Sequence, residues 1–222
     1  GVMVFITFCI AFFFKESIKD KFEGKWYEVF LRFRHVFSNK LYMRTNMIFS
    51  MSVGPLFAFI AFSPIYYIGI HGFSEAQFGY LFSMNAFAAM LGAFVCSKLL
   101  KVFKPENLTT ICTVSVVIGA AGLVLFINQS WHFFTLFSFI ITFFTCMNRP
   151  LATNYIVDQI DTDIGSATSF MVFIQLMFGS VCMFIVSGSN IHKTAVYGIT
   201  VFVVAVIVFS GWITLRRTLS LK

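Results

Sequence analysis

Six long apolar stretches constrain what this chain can fold into more than anything else in it. They run from Thr45 to Gly69, Gln77 to Ser97, Leu108 to Ile127, Phe133 to Thr153, Ala167 to Gly188 and Thr194 to Leu215. The hydrocarbon core of a bilayer is about 30 Å thick, and a helix needs about 20 mostly apolar residues to cross it. Each stretch meets that length. Peptide N–H and C=O groups find no water in hydrocarbon, so each stretch is expected to be a helix that satisfies its own backbone. Charged residues make up only 11% of the chain and apolar residues 59%, with 32 Phe among them. A soluble domain carries about a quarter charged residues. The reading is an all-α, polytopic membrane protein with the lipid bilayer as its solvent, and not a soluble enzyme.

The chain divides into three parts. Residues 1–14 are apolar but too short to span alone, and they read as the end of a truncated transmembrane helix, which makes the chain a fragment. Residues 15–44 read as a cytoplasmic linker. Within it Trp26, Phe30, Phe33 and Phe37 recur at helical spacing with Lys25, Glu28, Arg32 and Arg34 between them, the pattern of an amphipathic helix lying on a membrane surface. Residues 45–222 hold the six spans.

Basic residues orient the spans. Of the sixteen Lys and Arg, eight lie between Lys15 and Arg44, three (Lys98, Lys101, Lys104) between the second and third spans, and Arg216, Arg217 and Lys222 after the last. If every span crosses once, all of these fall on one side, and only Lys193 is opposite. This bias places the linker and the C-terminus in the cytoplasm. Asp158, Asp161 and Asp163 share that side, but acidic residues weigh little in the rule. The net charge of +7 is therefore topological, and no nucleic-acid partner is expected. Ser74-Glu75-Ala76-Gln77 has capping-box spacing at the start of the second span. Tyr66, Tyr67 and Trp131 suit an aromatic belt at the outer interface.

Polar side chains inside a span should face protein or a wet cavity. In the fourth span Thr135, Ser138, Thr142, Thr145 and Arg149 share one face, with Asn148 beside it. The fifth carries Thr168, Gln175, Gly179 and Cys182 in a narrow stripe, and the second carries Asn85, Ala88, Ala89 and Gly92. Asn46 and Ser50 mark a face of the first, where Pro55 and Pro64 invite kinks. The candidate substrate-pathway residues are thus Asn46, Ser50, Asn85, Thr142, Thr145, Asn148, Arg149 and Gln175. Each has a second reading. Small and hydroxyl residues also serve helix packing, amides bond between helices, and Arg149 can snorkel to the inner headgroups. The third and sixth spans are the least polar and read as lipid-facing supports, which fits two three-helix repeats.

Nothing points to catalysis or to a cofactor. No zinc-binding HExxH, phosphate-binding Gly loop or nucleophile–base motif is present. The five cysteines fall in apolar runs without CxxC spacing and read as small packing residues. His71, His132 and His192 scatter near the outer ends, with no metal site implied.

One set of residues carries a resemblance. Ser63-Pro64, Gly72-Phe73-Ser74, Phe78-Gly79-Tyr80-Leu81-Phe82 and Asn85 are followed by Arg149-Pro150-Leu151-Ala152. Then come Gly165-Ser166-Ala167-Thr168-Ser169, Gln175 and Gly179. In order and spacing this resembles the C-terminal half of major facilitator drug efflux proteins of the Bcr/CflA drug:proton antiporter type. The match departs at Ser166-Ala167-Thr168-Ser169, where many relatives have Ala-Ser-Ala, and in the loop after Gly92. There the GxxxDRxGRR-type pattern is reduced to Lys98, Lys101 and Lys104. The resemblance implies a twelve-helix transporter of the bacterial inner membrane, with two six-helix halves around a central cavity. This chain would be the second half, its partner the missing N-terminal half, and residues 1–14 the end of the sixth helix. Small, mostly apolar substrates would exchange for protons by alternating access. No acidic residue lies deep in a span, so the proton-coupling carboxylate is expected in the N-terminal half. A sugar or metabolite transporter on the same fold, or a non-transporting receptor or scaffold, are the rival readings.

The topology is checked by cysteine labelling: residues placed beside Trp26 and after Arg216 should react from the same face of the membrane. Labelling from opposite faces would overturn it.

Overall fold

The computed structural model describes Ile6, Phe8 and residues 38–160, 164–188 and 193–219. The expected helix end at residues 1–14 (bar Ile6 and Phe8), Cys9, the amphipathic helix around Trp26, Asp161, Asp163, His192 and Lys222 lie outside the described residues. Among the described residues, six helices long and apolar enough to cross a membrane follow one another. The first span is built of α1 (Lys40–Met51), α2 (Gly54–Pro64) and a π-helix (Ile65–Ile70). Then come α3 (Glu75–Leu99), α4 (Pro105–Phe126), α5 (Trp131–Val157), α6 (Ile164–Gly188) and α7 (Lys193–Leu219).

The helix ends follow local chemistry. α1 begins before the apolar stretch, because the Asn39 side chain accepts from the Leu41 and Tyr42 N–H groups and starts the helix at Lys40. The Ser74 capping box forms as its spacing predicts: the Ser74 hydroxyl accepts from Gln77 N–H, and the Gln77 side chain accepts from Ser74 N–H at 3.0 Å. Both prolines of the first span sit at breaks. Pro55 has no N–H to offer the Met51 carbonyl, and the helix breaks just before it, at Ser52 and Val53. Pro64 ends α2, and the next six residues widen into the π-helix.

Packing relates the two triplets by exchange. The first span lodges against α6 and α7, and α5 lodges against α3 and α4, while α4 and α7 also meet. Each triplet's leading span therefore packs on the second and third helices of the other, as two repeats related by a pseudo-two-fold would. Glycines set the closest approaches. A Cβ at Gly92 of α3 would collide with the Phe143 carbonyl oxygen of α5. On the matching contact, a Cβ at Gly179 of α6 would come within 2.7 Å of the Phe57 ring, and one at Gly54 within 2.8 Å of Cys182 Sγ. α4 and α7 present Ile111, Ile118, Leu125, Ile199 and Val203 outward, in keeping with lipid-facing supports.

Aromatic side chains close the two ends of the bundle. At one end the Tyr66 hydroxyl donates to the Ile127 carbonyl (3.0 Å) and the Tyr67 hydroxyl pairs with Thr135 (2.7 Å). Both tyrosines are 1% exposed, so they are core residues and not part of the aromatic belt expected of them. The π-helix explains the difference, because its wider turn carries two consecutive side chains into the interior. At the other end Phe49 stacks on Tyr155 with ring centroids 5.8 Å apart, and Trp212 Nε1 donates to Thr110 (2.9 Å). The four described cysteines, Cys96, Cys112, Cys146 and Cys182, are buried and free, filling space as the sequence predicts.

Gly92→Val should be destabilising, because its new atoms meet backbone that cannot rotate away. Overpacking of this kind costs about 1–3 kcal/mol or more. Gly79 has open space at its Cβ position, so Gly79→Ala should be neutral. Thermal unfolding of both variants in detergent checks the contrast.

Candidate functional site

The polar side chains picked out from the sequence divide into two sets. Asn46, Ser50, Asn85, Thr142, Thr145 and Asn148 are all buried within the six helices, none more than 6% exposed. Arg149 is exposed and Gln175 half-buried, and neither makes a hydrogen bond or ion pair among the described residues. The shared face on α5 thus meets neighbouring helices over Ser138, Thr142 and Thr145, and reaches open surface only at Arg149.

Within the buried set, two pairs are joined. Asn85 Nδ2 on α3 donates to Thr142 Oγ1 on α5 at 2.9 Å, two turns along the same face of α3 from the Gly92 contact. Ser50 Oγ donates to Asn46 Oδ1 at 2.8 Å, one turn apart along α1. Thr145 and Asn148 line a small cavity of about 20 Å³ behind the α1–α2 break, together with Ser52, Pro55 and Thr113. Several buried atoms keep unused capacity among the described residues: Asn46 Nδ2, Asn85 Oδ1, Ser138 Oγ and Asn148 Oδ1. A buried polar atom without a partner costs about 1–3 kcal/mol. Asn85 and Ser138 belong to one recess, walled by Phe59, Tyr67, Met84 and Phe139 between α2, α3 and α5.

The open set is apolar apart from its two polar members. Met47 of α1 and Phe173, Ile174, Met177, Phe178 and Val181 of α6 wall an open trough of about 220 Å³. Gln175 shares the turn of α6 that carries Ile174 and Phe178. Along α3, Tyr80, Met84, Phe87, Met90 and Phe94 form a second exposed stripe. Methionine and aromatic side chains adapt to differently shaped apolar partners.

The family profile of the Major Facilitator Superfamily matches residues 1–186, most of the chain. The chain belongs to the Major Facilitator Superfamily. With six helices apolar enough to span, it is a multi-pass membrane protein of that transporter family. It is 25% identical over 149 residues to the bicyclomycin resistance protein homolog of Haemophilus influenzae, covering 66% of this chain and 37% of that protein. It is also 25% identical over 170 residues to the MFS-type transporter YdgK of Bacillus subtilis, covering 74% of this chain and 42% of that one. The chain thus spans about two fifths of the length of these relatives. The first name agrees with the resemblance to drug efflux proteins, and the second with the superfamily alone.

Some anchoring residues carry no sequence signal as a site. Asn39 Nδ2 donates to the Gln159 carbonyl (2.7 Å) and the Tyr42 hydroxyl to the Ala167 carbonyl (2.7 Å), tying the start of α1 to the residues just after α5 and to the first turn of α6. No periodicity announces them, because each partner is a backbone carbonyl far away in the chain.

The Asn85–Thr142 bond is open to a double-mutant cycle with Asn85→Ala and Thr142→Ala. Interhelix bonds in membranes average about 0.6 kcal/mol, with about 1.7 as the upper end. A coupling energy in that range is expected from unfolding in detergent, and zero coupling would mean the bond contributes nothing.

Proposed function

We propose that this chain is the C-terminal half of a drug:proton antiporter that exports small, mostly apolar compounds across the bacterial inner membrane. The observation that carries the reading is the pair of exposed, uncharged, Met- and aromatic-rich faces on α3 and α6. A wall of that kind holds varied apolar molecules by shape and dispersion without a fixed set of hydrogen bonds. The printed name of the Haemophilus influenzae relative, a bicyclomycin resistance protein homolog, supports the same choice.

In this reading the N-terminal half faces the α3 and α6 surfaces, and the two halves rock about a site near the midplane. Gln175 and Arg149 are the polar members of the pathway wall. The buried amides and hydroxyls at Asn46, Ser50, Asn85, Thr142, Thr145 and Asn148 border it from within the half, where their spare hydrogen-bonding capacity serves whatever enters. Protons are the coupling ion, taken up by a carboxylate of the N-terminal half. The linker and the C-terminus lie in the cytoplasm.

The test is a panel of unrelated toxic compounds in cells stripped of their own pumps. Raised tolerance to several of them, lost on adding a protonophore, is the expected result. Transport of one sugar or metabolite alone would replace this reading with the metabolite-transporter one. Gln175→Ala and Arg149→Ala should each lower export severalfold while the protein still inserts. Unchanged export at unchanged expression would remove both from the pathway.

A further inference from the structure

We propose that the turn joining α3 to α4 binds the phosphodiester headgroup of an anionic phospholipid. The turn lies just beyond the two spans and is well ordered by its own backbone: Lys101 N–H donates to the Lys98 carbonyl (3.2 Å), and Val102 and Phe103 N–H both donate to the Leu99 carbonyl (3.0 and 2.8 Å). Lys98, Lys101 and Lys104 all project from it into the open. So do Val102, 78% exposed, and Phe103, 45% exposed. The Lys98 ammonium stands 5.4 Å from the Phe94 ring centroid, so its stem runs along the outer surface of α3.

The charges on this edge are not balanced from within. No acidic residue lies between Glu75 and Glu106 in the sequence. Glu106 itself is engaged from the end of α7, where Arg216 Nε stands 3.8 Å away and Arg216 Nη2 donates to Asn107 Oδ1 at 3.0 Å. The three lysines have no acidic partner among the described residues.

Two demands then meet on one short turn. Water solvates the ammonium groups but leaves Val102 and Phe103 uncovered, and hydrocarbon does the reverse. The boundary between headgroups and acyl chains satisfies both, with the lysine stems snorkelling toward the phosphates. A zwitterionic headgroup brings its own cation into the cluster, whereas an anionic one does not, so the turn selects lipids of net negative charge. Free phosphate would answer the lysines alone. A lipid answers the lysines and the two apolar side chains together. This inference depends on the membrane setting and not on which compound the protein carries.

The test uses the intact protein in nanodiscs of mixed phosphatidylcholine and phosphatidylglycerol, with retained lipid read by native mass spectrometry after partial delipidation. Phosphatidylglycerol should be retained over phosphatidylcholine by about tenfold or more. Inorganic phosphate, compared with chloride at the same ionic strength, should leave that preference in place. Lys98→Gln/Lys101→Gln/Lys104→Gln should lower it severalfold, the corresponding Lys→Arg triple variant should keep it, and Val102→Ser/Phe103→Ser should weaken retention. Should the Gln variant not fold, salt substitutes for it: the preference of the unaltered protein must fall between low and high ionic strength. Equal retention of the two lipids, displacement by inorganic phosphate, or a preference indifferent to both the lysines and salt would overturn the proposal.

Discussion

Helices in a bilayer gain little from hiding apolar surface from one another, since lipid tails are as apolar as leucine. What holds such a bundle is close approach, and here that rests on a few glycines. Gly92 lets α3 approach the backbone of α5 at Phe143, while Gly179 and Gly54 let α6 and α2 come together. These two contacts join the halves of the six-helix unit in equivalent ways. Each binds the first span of one triplet to the second helix of the other, so neither triplet is a self-contained body. The same closeness brings the Asn85 side chain within hydrogen-bonding reach of Thr142.

Against that rigid pairing stands the first span. Its helix is broken at Ser52 and Val53, resumes at Gly54 with Pro55 in its first turn, and widens into a π-helix behind Pro64. Such interruptions are tolerated at membrane depth where protein surrounds them, as it does here. Several unsatisfied polar atoms lie near these irregularities, among them Asn46 Nδ2 on α1 and Ser63 Oγ beside Pro64. Buried capacity left unused in this way is free for a water or for a second arrangement of the same helices. The interior of the six-helix unit is therefore well packed between triplets and less completely satisfied along its leading spans.

Much of this was legible in the chain, because the signals are local. Length and hydropathy mark a span without reference to anything else in the fold, and the capping box at Ser74 needs only four residues. Proline lacks the N–H for the carbonyl four residues earlier, and the first span breaks before Pro55 on that account, although Pro150 sits within an unbroken α5. The candidate site was less legible. The stripe from Thr135 to Arg149 is real, yet Ser138, Thr142 and Thr145 are buried among neighbouring helices and only Arg149 reaches open surface. Tyr66 and Tyr67 read as interfacial anchors because tyrosine is common there, but the local widening of the helix turns both inward. The carbonyl partners of Asn39, Tyr42 and Tyr66 lie 120, 125 and 61 residues away, and backbone acceptors leave no mark in a sequence.

The residues alone therefore determined the solvent, the number of crossings, the helical state of each crossing and the places where the first is interrupted. Each of these follows from the transfer of peptide groups and side chains into hydrocarbon, which depends on a residue and its near neighbours. Only the tertiary structure decided what each polar face meets. Helical periodicity shows which side chains point the same way. Whether that direction holds another helix, lipid or a passage depends on how closely distant segments approach, and in this six-helix unit that was settled by Gly92, Gly54 and Gly179 allowing helices to come together.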